Sequence, residues 1–113
     1  VSTFKELLQR FKDAELIPVM ARLPGQDQPV YFKPVTLADN DKVRRHMKAE
    51  GSDSEAVSVC LTVIFKLCDE AGNLIFDISD RSWIMSTVPQ SLLNDIVGEM
   101  AAANVTLEEA EKN

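Results

Sequence analysis

Two cysteines, one histidine and one basic run are the residues here whose chemistry could be catalytic. Cys60 and Cys68 stand eight positions apart. On one helix their Cα atoms would be ~12 Å apart, and on one strand ~27 Å. A disulfide needs less than ~7 Å, so both geometries exclude an internal bridge. No CxxC spacing is present, so a zinc or thioredoxin-type site has no support. Buried, reduced thiols are the simplest expectation, and burial leaves a thiol inert. His46, in "RRHMK", is the only histidine. Any triad or metal cluster that uses histidine would have to be built around it, and an exposed helix histidine is the simpler expectation. The stretch "DEAGN" places carboxylates beside a glycine but lacks the alternating oxygen ligands of a calcium loop. It reads as a polar turn. The glycines form neither GxGxxG nor a P-loop. "KVRRHMK" could meet phosphate or an acidic partner, but it reads more simply as a solvated helix face balanced by Asp39, Asp41 and Glu50. No catalytic, cofactor or metal site emerges, and an enzyme is the least expected class.

The whole-chain totals agree. The chain has 113 residues, 45% of them hydrophobic, which suits one domain with its own core. Its net charge of −6 disfavours general affinity for nucleic acid or an anionic membrane, since both require a basic face. No apolar run approaches the ~20 residues of a membrane-spanning helix, and no signal-peptide pattern opens the sequence.

The elements that would position these residues follow from periodicity. Phe4, Leu7, Leu8 and Phe11 repeat at helical spacing, and Thr3 and Glu6 have capping-box spacing. A first helix should therefore begin after Ser2 or Thr3 and stop by about residue 16, ahead of Pro18. Residues 17–23 and 30–35 flank the turn-rich "PGQDQ" and predict an antiparallel hairpin with prolines near its strand ends. Such a ribbon must lean on a helix or pair with another chain. "TLADNDKVRRHMKAEG" predicts a second, mostly solvated helix, capped by Thr36, acidic at Asp39 and stopped by Gly51. Its apolar stripe, Leu37, Val43 and Met47, is thin.

"SVCLTVIFKLC" fits two templates. As a helix over 54–68, Ser54, Glu55, Ser58, Thr62, Lys66 and Asp69 share one 120° arc, and the rest of the wheel is apolar. As a strand, Val59, Leu61, Val63, Phe65 and Leu67 alternate with more polar positions, although Ile64 spoils the polar face. Periodicity leaves both open. Beyond the glycine turn, Leu74–Phe76 suits a short extended piece, and residues 79–86 a helical turn capped by Ser79 or Asp80. A long helix follows Pro89, with Leu92, Leu93, Ile96, Val97, Met100 and Ala101 as its stripe and Asn104 as its end. Thr106 and Glu109 cap a short acidic tail. The fold class is α+β, mainly α, with four to five helices and one short β-hairpin in the N-terminal third, in a single domain spanning 1–113. Trp83, with Met85 beside it, is the first candidate contact for a partner if exposed, because aromatic and methionine side chains are favoured interface anchors.

Three stretches together carry a resemblance. "PVYFKPVTLADNDKV", "LCDEAGNLIF" followed by "SWI", and "LLNDIVGEMAAANVTLEEAEKN" resemble, in order and spacing over residues 28–113, the tail assembly chaperones of long-tailed bacteriophages. The resemblance implies a mainly helical protein of the bacterial host's cytoplasm that reversibly coats the tape measure protein. It further implies recruitment of major tail tube subunits and absence from the mature virion. It favours the helix over 54–68. Partner contacts would fall on Trp83, Met85, Arg44 and Arg45, and self-association would supply avidity from many weak sites. No nucleic acid, membrane or cofactor is expected. A permanent component of the particle, such as a head–tail connector or tail-completion subunit, is the alternative. A nucleic-acid-binding regulator using "KVRRHMK" is a third class that the net charge opposes.

Overall fold

The computed structural model describes residues 3–13 and 18–103. Its elements run α1 (Phe4–Asp13), β1 (Val19–Ala21), β2 (Val30–Phe32), α2 (Leu37–Glu50), α3 (Glu55–Lys66) and β3 (Leu67–Cys68). A 3-10 turn (Ile78–Asp80), α4 (Arg81–Thr87) and α5 (Gln90–Ala102) complete the order. The protein is α+β and mainly helical, with its β-hairpin in the N-terminal third. No helix among the described residues is long and apolar enough to cross a membrane.

The ambiguous central segment is a helix as far as Lys66 and a strand for two residues after it. Its helical wheel explains the first part. Val57 and Leu61 pack with Val43 of α2, while Cys60, Val63 and Ile64 face Ile84 of α4, Leu93, Ile96 and Met100 of α5, and Phe32 of β2. A helix touched on most sides needs that wide apolar arc. The second part is a tertiary effect. Leu67 and Cys68 pair antiparallel with Phe32 and Tyr31, and the Lys33 N–H donates to the Lys66 carbonyl at 2.9 Å. The ladder bonds satisfy backbone groups at the helix end, so the helix stops two residues before the expected limit of 68. The hairpin thereby becomes a three-stranded sheet in the order β1-β2-β3, with Phe32 between Val19 and Leu67. A bridge from Cys68 to Leu74 closes the "DEAGN" turn. Asp69 accepts from the Asn73 N–H at 2.9 Å inside it.

The termini of α2 match their sequence signals. Thr36 and Asp39 exchange side-chain-to-backbone bonds in a full capping box. At the other end Gly51 has φ of 68°, the Gly51 N–H reaches the Lys48 carbonyl, and the Ser52 N–H reaches that of Met47. This pair of bonds is a Schellman stop. Gly51→Ala meets no steric obstacle but places a Cβ in the left-handed region. It should lower the unfolding free energy by about 1 kcal/mol, measured by urea titration.

Asp80 stands at the N-cap of α4, as expected, although its side chain makes no capping bond there. Asp77 caps the 3-10 turn ahead of it: it accepts from the Ser79 N–H at 2.8 Å, and Asp80 accepts in return from the Asp77 N–H. Asp77 lies two residues upstream of Ser79, where the chain leaves the extended region (φ −128°, ψ 178°). Helix α1 begins where Thr3 accepts from the Glu6 N–H. Asn104 and the Thr106–Glu109 cap lie outside the described residues, as does the expected end of the first helix near residue 16.

Candidate partner-binding surface

The candidate contact residues do not form one site. Ile84 is fully buried under α3 and α5. At about 100° per residue, its neighbours Trp83 and Met85 emerge on opposite flanks of α4. Trp83 is 44% exposed. Its indole N–H donates to Asp80 at 3.1 Å, and its ring meets Phe76 edge to face at 5.7 Å. This orients the indole while leaving nearly half of it open. Met85 is 41% exposed and lies on a cleft of ≈ 460 Å³ between the starts of α3 and α5. Ala56, Val59, Cys60, Val88 and Leu93 form its apolar lining.

Arg44 and Arg45 project from α2, away from the face that carries Val43. Arg45 pairs with Asp41 one turn earlier at 3.3 Å. Arg44 makes no ion pair among the described residues. The expected balance of this basic run by Asp39, Asp41 and Glu50 holds only for Asp41. Asp39 turns to the buried Lys66 at 2.7 Å, and Glu50 pairs with Arg81 at the start of α4. His46 is half-buried, its ring 5.2 Å from Phe65, and Lys42 sits 4.3 Å above the same ring. The histidine therefore seals the α2–α3 seam, where the sequence suggested a simply exposed side chain.

The ionised acids have local causes. Burial alone would raise the Asp39 carboxyl, but hydrogen bonds from Lys66 and Thr36 and the lysine charge outweigh it, and its pKa falls below 3.8. The Arg81 hydrogen bond lowers Glu50. The Asn73 N–H lowers Asp69, and bonds from Ser79 lower Asp77. Burial pushes both thiols up, and both cysteines are free and buried. Among the described residues no group of three or more His, Cys, Asp or Glu is placed to hold a metal ion.

Sequence reasoning passed over a run of exposed apolar residues ahead of α4. Leu74, Ile75 and Ile78 are each about half exposed and run toward Trp83 along one stretch of chain. Ile75 also walls a groove of ≈ 290 Å³ whose other sides are Pro29, Val30, Tyr31, Leu67 and Cys68, with Asp69 and Glu70 at the edge. The signal was present in "DEAGNLIFDISD", where apolar residues alternate with acids rather than with neutral turn residues. Comparison with known proteins returned no matching family model, no matching curated protein and no matching solved structure.

Proposed function

We infer that this chain is a non-catalytic binding protein of the tail assembly chaperone class, which coats a phage tape measure protein reversibly and leaves before the particle is complete. The observation that carries this reading is one stretch of chain in which Leu74, Ile75, Ile78 and Trp83 are each about half exposed, interspersed with Asp77 and Asp80. Monomeric proteins seldom leave large apolar side chains contiguous unless another molecule covers them. The resemblance over residues 28–113 supplies the partner: a very long helical polypeptide whose apolar stripes stay uncovered until the tube forms around it.

The physics of such a coat is consistent with the chain. Each contact must be weak enough to release, so many copies act together. Net negative charge keeps the coated complex dispersed. Trp83 supplies an oriented aromatic anchor and Met85 an adaptable one. Arg44 and Arg45 offer charge to acidic positions on the partner, and major tail tube subunits would replace the coat as they polymerise.

Coexpression with a tape measure protein tests the reading. The expected result is a soluble complex of the two chains, and Trp83→Ala/Met85→Ala should reduce the soluble tape measure fraction ~10-fold or more. A tape measure protein that remains insoluble and unbound beside the folded wild-type chain would contradict it.

A further inference from the structure

Charge, more than apolar contact, holds α2 in place. Of its 14 described residues only Val43 is buried, and half-buried Met47 extends that contact by one turn. Asp39 in the first turn grips Lys66 at the end of α3, and Glu50 in the last turn grips Arg81 at the start of α4. Between them Lys42 and His46 rest on the ring of Phe65. Asp39, Val43, Met47 and Glu50 fall on one face at helical spacing. Against that face α3 sets Val57, Leu61 and Phe65, a stripe with a four-residue repeat. Cys60, Val63 and Ile64 of α3 belong instead to the larger core cluster, in which no described α2 side chain takes part.

Releasing α2 therefore dismantles the smaller cluster and leaves the larger one standing. A segment with so few buried apolar contacts opens at a lower free-energy cost than the whole fold. A polar helix of 14 residues does not keep its hydrogen bonds alone in water, so release is also melting. We propose that α2 is a replaceable clasp over a helix-binding face. Its release uncovers Val57, Leu61 and Phe65 between two cations, Lys66 at one end and Arg81 at the other. The partner that fits is an amphipathic helix with the pattern of α2 itself: an acid, apolar residues four and eight positions later, and a second acid three positions beyond. None of these apolar residues belongs to the run ahead of α4, so the proposal stands apart from the tape measure reading.

Amide hydrogen exchange of the full chain, followed by mass spectrometry, tests the clasp. Amides of α2 should exchange ~10-fold or more faster than those of α5 and the second half of α3. Raising salt to about 0.5 M should accelerate α2 alone, because screening weakens its ion pairs. Glu50→Gln, which removes one partly exposed pair, should speed α2 exchange a further ~2–5-fold and leave α5 unchanged. A fluorescent synthetic peptide of residues 36–51 tests the face beneath. It should bind the Glu50→Gln chain ~2–5-fold more tightly than wild type, in proportion to the open fraction, and the same peptide carrying Val43→Asp should lose binding. Uniform exchange of α2, α3 and α5, or α2 exchange indifferent to salt and to Glu50→Gln, would overturn the clasp. A peptide that binds neither chain, or binds as well with Val43→Asp, would overturn the binding face.

Discussion

Phe32→Ala should lower the unfolding free energy by about 3–5 kcal/mol, the range for emptying a well-packed aromatic site. Phe32 is 1% exposed and is the middle-strand residue whose partners are Val19 and Leu67. Its side chain reaches the same cluster as Cys60, Val63 and Ile64 of α3 and Ile84 of α4. Truncation therefore loses apolar burial and leaves a cavity where the sheet meets the helices. The total stability of a domain this size is about 5–15 kcal/mol, so the variant should approach the unfolding threshold at room temperature. Phe4→Ala is the contrast: Phe4 is largely open to water, so the change should fall within about 0.5 kcal/mol. Urea unfolding followed by far-ultraviolet circular dichroism measures both. Equal effects would mean that the assignment of core and surface aromatics is wrong.

The second large effect concerns the Asp39–Lys66 ion pair. Lys66 is buried at the end of α3, and its ammonium lies 2.7 Å from Asp39, which also belongs to the capping box of α2. Lys66→Met leaves the carboxylate without its cation. Full burial would put that cost at ~3–5 kcal/mol, and the partial exposure of Asp39 reduces it to about 2. Changing both residues, Asp39→Asn/Lys66→Met, should recover much of the loss, since neither charge is then stranded. The pH dependence has a defined sign. The folded-state pKa of Asp39 lies below its ordinary value of 3.8, so its ionised form contributes stability above pH 3.8. That contribution disappears as pH falls through the lowered folded value. The difference between wild type and Asp39→Asn should accordingly be present at neutral pH and shrink under acid. A difference that grows on acidification would contradict the pairing.

Local signals made most of the fold legible. The helical repeat of Phe4, Leu7, Leu8 and Phe11, the Thr36 cap, the Gly51 stop and Pro89 ahead of the last helix each act within a few residues, so sequence alone exposes them. The failures have one cause, which is distance along the chain. Leu67 and Cys68 leave the helical path because Tyr31 and Phe32, more than 30 residues earlier, offer ladder partners. Asp39 and Glu50 seemed to balance the basic run beside them, yet their partners are Lys66 and Arg81. Of the surface, Trp83 and Met85 could be suspected from residue type. That Ile84 would drive them to opposite flanks required the packing of α4 against α3 and α5. The strip at Leu74–Ile78 was hidden for a similar reason: a short apolar run reads equally as core until its neighbours are placed.

The proposed role is to hold another polypeptide for a time and then release it. It is tested most directly by quantitative mass spectrometry on two fractions of one phage-producing culture. One fraction is the tape measure protein isolated before tube assembly, and the other is the purified particles. This chain should be present in many copies on the first and absent from the second. A fixed copy number in finished particles would contradict it and identify a permanent structural subunit instead.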